Sequence, residues 1–256
     1  MLLLILGVIW GIARGNASCP VLADSNLRSQ VQSYVDSSSH PCGDINTWDV
    51  SQCTKLDFIF ANNVNFNANI SNWNTASVTS MRKTFYNAIS FNGDISKWDI
   101  SNVNSLQGTF EGASSFNGDL SNWDASSVKS LQYTFKDATS FTGESISNWN
   151  TESLTYLFHT FAGATLFDGN LSNWNTMGVT SMGNVFNGAT LFTGESISNW
   201  NTSSVVSMDH TFFGATSFDI GNLKNWNLLA VTNHVNVFPN IPSGGICKAK
   251  VLYDAW

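Results

Sequence analysis

Charge is the scarcest property of this chain: Asp, Glu, Lys and Arg make up only 11% of its 256 residues, where globular domains carry about 25%. Its water-facing surface must therefore be built mainly from Asn, Ser, Thr and Gly. Basic residues are few, with 11 Lys and Arg against 18 Asp and Glu, which excludes a surface suited to nucleic acid. The sequence contains no phosphate loop, nucleophile elbow or H-E-x-x-H motif, so it reads as a non-enzyme with no cofactor and no resident metal. After the first twelve residues no apolar run approaches the length of a bilayer span. Aromatic residues, by contrast, are abundant: 10 Trp and 18 Phe exclude a disordered acidic tail.

Met1 to Ile12 reads MLLLILGVIWGI and is followed by small residues at Gly15 and Ala17. This is the pattern of a signal peptide over 1–17, with an uncleaved anchor as the alternative. The mature chain is then expected at the cell surface or outside the cell, without a transmembrane segment. Residues 18–43 read as an N-terminal cap, with a short helix from Asp24 to Val35, 44–238 as the body, and 239–256 as a C-terminal cap.

The body repeats. Trp stands at 48, 73, 98, 123, 149, 174, 200 and 226; one Phe column runs from 60 to 238 and a second from 66 to 218 in the same register. Stacked repeats explain such columns, whereas a single-core globule does not. Val78, Met81, Phe85, Ala88 and Phe91 have the spacing of a short helix with one buried face. Asn92-Gly93 and Asn117-Gly118 read as helix exits in which Gly takes a positive φ. Ile95-x-x-Trp98-x-Ile100 reads as a strand. The expected fold is an α/β repeat solenoid, leucine-rich-repeat-like, with eight turns of short strand plus short helix and a cap at each end. His234, in the last repeat, takes a core position held elsewhere by Met or Leu.

Units such as FNGDISKWDISNVNSLQGTFEGASS and SNWNTSSVVSMDHTFFGATSF resemble the roughly 25-residue repeats of the BspA-like leucine-rich-repeat surface proteins of the mycoplasma type. Thr84, Thr109, Thr134, Thr160 and Thr211 stand where that family usually carries a second Met. The resemblance implies a secreted or surface solenoid used in adhesion or recognition, and it implies no catalytic residue.

If the Trp side chains point inward, their neighbours point outward. One outward column contains Asn72, Lys97, Asn122, Asn148, Asn173 and Asn199, and the other contains Asn74, Asp99, Asp124, Asn150, Asn175 and Asn201. This polar face could hydrogen-bond an extracellular protein or glycan, or its amides could simply pair from repeat to repeat. Asp99 with Asp124, and Asp94 with Asp119, form carboxylate pairs that read mainly as solvated surface and secondarily as a weak cation site. His159 and His210 share a repeat phase but lie two repeats apart, too far to share a metal. Asn69, Asn170 and Asn201 head Asn-x-Ser/Thr glycosylation tripeptides.

Of the four cysteines, Cys19, Cys42 and Cys53 lie at the N-terminal end and Cys247 at the other end. A stack this long holds Cys247 beyond disulfide reach, so a Cys42–Cys53 bridge is expected, leaving Cys247 free for self-association. The leading functional expectation is recognition or adhesion through the polar face. A structural, self-associating extracellular protein is the second, and ice or mineral binding a third.

Overall fold

The structure is a computed structural model that describes residues 19–37 and 40–238. Its one α-helix among these residues, α1, spans Leu27–Asp36 and buries Leu27 and Val31. Beyond it, each of the eight repeats lies against the next in chain order. Single parallel bridges join Lys55 to Ser80, Ser80 to Ser105, and so on to Ser207 with Asn233. The inward residues form one continuous core in which Trp98, Phe85, Phe91, Phe110 and Phe116 are each nearly or fully buried. Rings stack along this core: Trp73 on Trp98 at 5.9 Å between centroids, and Phe85 on Phe110 at 5.5 Å. Each fully buried Phe of this kind contributes about 1.5–3 kcal/mol.

The local elements differ from the sequence expectation, because the described residues contain neither a helix nor an extended strand in each repeat. Val78, Met81, Phe85, Ala88 and Phe91 are all buried, as the spacing requires, but their backbone is a run of tight turns. Thr84 donates to the Met81 carbonyl, Tyr86 to Lys83 and Ala88 to Phe85, while the alternate amides of Met81, Lys83, Phe85 and Asn87 donate to Ser105, Gln107, Thr109 and Glu111 in the next repeat. A helix would direct every amide four residues back along its own turn. Here half of them reach across to a neighbour, so the segment read as helical carries the ladder between repeats.

Those turns require left-handed residues. Lys83 and Asn87 have φ of 53°, and the equivalent positions include Gly108, Tyr133, His159, Asn184 and His210 at one site and Gly112, Asp137, Gly163 and Gly188 at the other. Gly93 and Gly118, expected to have positive φ, do not. They are needed for space instead, since a Cβ would lie 3.0 Å from the Phe91 ring at Gly93 and 2.9 Å from the Phe116 ring at Gly118. The left-handed glycines near that break are Gly143 and Gly194, at 84° and 81°. Each belongs to a 26-residue repeat and precedes a short 3-10 helix, Glu144–Ile146 or Glu195–Ile197.

The Trp segment is likewise a set of turns rather than a strand. Trp98 donates its amide to Ile95, and its indole N–H reaches back to the Ile70 carbonyl at 3.1 Å. Every later Trp through Trp226 makes the equivalent bond to the preceding repeat. Trp48 has no repeat before it, and its buried indole N–H lacks a partner. It packs instead against Tyr34 and His40 of the N-terminal cap. At the far end His234 is exposed, because no later repeat among the described residues covers it.

A disulfide joins Cys19 to Cys42, and Cys53 is a free buried thiol. This corrects the expected Cys42–Cys53 bridge. Cys53 occupies the position held by Val78, Val103 and Val128 in later repeats and is fully buried in the core. Its packing, not its closeness in sequence to Cys42, decides its state. Burial also pushes its thiol up to about 11. Cys247 and the segments read as a signal peptide, 1–17, and as a C-terminal cap, 239–256, lie outside the described residues.

Candidate functional site

All twelve residues expected on the polar face are exposed, and they run in two columns on either side of the buried Trp side chains. The columns do different work. In the column after Trp, each Asn or Asp accepts through Oδ1 from the backbone amide two residues on: Asn74 from Ala76, Asp99 from Ser101, Asp124 from Ser126, Asn150 from Glu152, Asn175 from Met177 and Asn201 from Ser203. Both residue types carry Oδ1 and favour this turn, so they interchange freely there. The same device recurs four residues before Trp, where Asn69 serves Ser71, Asp94 serves Ser96 and Asn170 serves Ser172.

The column before Trp is less committed. Asn173 donates to the Ser147 carbonyl at 3.4 Å, and Asn225 donates to Asn199 at 3.3 Å. The side chains of Asn72, Asn122 and Asn148 project into solvent. This distinction is invisible to a reading that treats both columns as one strand face. The acceptor atoms of the column after Trp hold the backbone, whereas Asn72, Asn122 and Asn148 of the column before it leave their carboxamides exposed.

Asp94 and Asp119 are held below the usual carboxylate range, first by the Ser96 and Ser121 amides and then by the hydroxyls of the same serines. Asp124 is lowered by the Ser126 hydroxyl and amide. A general acid needs the opposite shift. The described residues contain no group of three His, Cys, Asp or Glu that could hold a metal. A cleft of about 320 Å³ opens beside this face, lined by Asn117, Gly118, Asp119, Thr142, Glu144 and Ser145, where a 25-residue repeat meets the first 26-residue one. The expected glycan acceptors Asn69, Asn170 and Asn201 are all exposed.

One surface feature escaped the sequence reading. On the ladder side, Tyr133 of the fourth repeat stacks on His159 of the fifth at 5.1 Å, and Phe158 meets both rings edge-on. Tyr156, two residues before Phe158 on the same ladder, is 49% exposed. The signal was available in the ladder column, where Tyr156 replaces the Ser of five other repeats.

The family described as "Mycoplasma protein of unknown function, DUF285" matches residues 29–145 and 129–244, and the chain belongs to it. No curated protein and no solved structure matches the chain.

Proposed function

We propose that this chain is a secreted or cell-surface recognition and adhesion module, a leucine-rich-repeat-like solenoid of the BspA-like kind, that binds an extracellular protein or glycan through its polar face. The observation that carries this reading is the column before Trp. It exposes the carboxamides of Asn72, Asn122 and Asn148 on successive or near-successive repeats, and such groups both donate and accept. The carboxylates beside it, Asp99 and Asp124, are engaged with the backbone amides of Ser101 and Ser126, which favours a structural over a catalytic use of them. The Cys19–Cys42 disulfide fits an oxidising compartment, as does the apolar leader.

The test is a screen of the mature chain against immobilised extracellular-matrix proteins and a glycan array. The triple variant Asn122→Glu, Asn148→Glu, Asn199→Glu is run beside it. Binding that falls at least tenfold in the variant supports the site; binding that persists unchanged places it elsewhere. Self-association is the second reading, favoured by Leu229 and Val235, which are 92% and 57% exposed on the eighth repeat. Concentration-dependent oligomers in sedimentation would mark it.

A further inference from the structure

The ladder side of the stack is mostly polar at its bridging residues. Its bridging position holds Ser in five of eight repeats, and the position two residues on holds Arg82, Gln107 and Gln132 in the second to fourth. In the fifth repeat the same two positions become Tyr156 and Phe158, and the left-handed position becomes His159, with Tyr133 at that position one repeat earlier. The first and seventh repeats also carry rings at the left-handed position, Phe58 and His210, but here rings of adjacent repeats meet across the ladder. Left-handed backbone at Tyr133 and His159, with φ of 59° and 58°, costs about 1–2 kcal/mol each relative to Gly. Aromatic rings are thus placed where Asn or Gly would sit more comfortably.

The sixth repeat makes room for them. Gly183 follows Phe158 in its column, and a Cβ there would lie 2.9 Å from the Phe158 ring and 2.6 Å from Asp209 Oδ1. Phe158 therefore lies along the surface over Gly183 instead of projecting from it. The result is a cluster of edge-on and stacked rings, half-open to water. The amides of Tyr133 and His159 already donate to the Phe158 and Gly183 carbonyls, so a peptide cannot extend the ladder here as an added strand.

We propose that Tyr133, Tyr156, Phe158 and His159 form a stacking platform for a neutral pyranose ring of a polysaccharide. The C–H face of such a ring packs on an aromatic face by dispersion and by attraction to the ring's negative quadrupole. The charged groups that act on His159, Lys136 with its ion-pair partner Asp137 and Asp209, carry more negative than positive charge, which suits a neutral sugar better than a uronate or a sulfated one. The platform is separate from the Asn column, and neither proposal depends on the other.

The experiment is co-sedimentation of the mature chain with insoluble cellulose, chitin and mannan. The variants Tyr156→Ser and Phe158→Gln install residues that other repeats carry at these positions, so the fold is expected to survive, and a thermal midpoint confirms it. Tyr156→Trp, which keeps the platform, is the positive control. The expected result is binding to at least one of the three matrices, weakened at least tenfold by Tyr156→Ser and by Phe158→Gln. Tyr156→Trp and the triple Asn→Glu variant should retain it. Binding to none of the three overturns the proposal, as does binding unchanged by both replacements. Retention on a proline-rich peptide resin without polysaccharide binding also overturns it, by assigning the rings to a protein partner.

Discussion

The indole N–H of Trp123 donates to the carbonyl of Ile95, one repeat earlier, at 3.1 Å. This bond lets a large aromatic residue fill the core without stranding its one polar atom. Trp48 has the same inward position and lacks the bond, so the two residues form a natural comparison. Trp123→Phe is expected to cost about 2–4 kcal/mol, from lost volume and a lost hydrogen bond. Trp48→Phe should cost about 1 kcal/mol less. Denaturant midpoints of the two variants measure the difference.

The buried Thr column offers a test in both directions. The Thr109 hydroxyl lies 2.7 Å from the Leu106 carbonyl of its own repeat and 2.8 Å from the Met81 carbonyl of the repeat before. In the sixth repeat the position is occupied by Val185, also fully buried. Thr109→Val should lose about 1 kcal/mol. Val185→Thr should recover a similar amount, because the Met182 and Leu157 carbonyls stand in the corresponding places. A stabilised Val185→Thr protein in a thermal melt is the informative result, since substitution into a core usually destabilises.

Gly188 separates backbone strain from crowding. Its φ is +71°, and the nearest heavy atoms to an added Cβ would be 3.7 Å away, an ordinary contact. Gly188→Ala is therefore expected to lose about 1–2 kcal/mol through conformation alone. Gly188→Asn should lose clearly less, because Asn tolerates this region and already occupies it at Asn62 and Asn87. Equal losses for Ala and Asn would point to packing instead.

Acid should weaken the tie between the N-terminal cap and the first repeat. Burial would raise Asp24, but the Thr54 hydroxyl and the Lys55 and Thr54 amides outweigh it and hold the carboxylate below its usual value. A carboxylate lowered by folding stabilises the native state above its unfolded pKa of about 3.9, and this contribution is lost as pH falls through the lower folded value. Asp24→Asn should lower the denaturant midpoint at pH 7, and its difference from the parent should shrink below about pH 4. A gap that stays constant from pH 7 to pH 3 would assign Asp24 a purely steric role.

Much of this architecture was legible because the buried positions are set by side-chain volume. The Trp and Phe columns, and the inward order Val78, Met81, Phe85, Ala88 and Phe91, follow directly from the sequence. Backbone path was not legible, because an i, i+3, i+4 pattern fits both a helix and a run of turns facing the same core. The discriminating signal was the column of Asn87, Gly112, Asp137, Gly163 and Gly188, residue types that accept a left-handed backbone. Cys53 was misread for a related reason. Chemistry suggested a partner for it, while its register with Val78 already placed it in the core. On the polar face the outward positions were legible, but not the division between turn-forming and open columns, which depends on the local hydrogen bonds of Asp99 and Asn175.

The account rests on alternate backbone amides reaching from one repeat to the next, which makes the stack rigid and leaves the Asn column and the aromatic platform displayed at its surface. The direct measurement is the scalar coupling across individual hydrogen bonds by NMR in the isotopically labelled chain. It is predicted to connect the Phe110 amide with the Thr134 carbonyl, a 2.9 Å bond between neighbouring repeats. A coupling from Phe110 to the Leu106 carbonyl, as in a helical repeat, would contradict it.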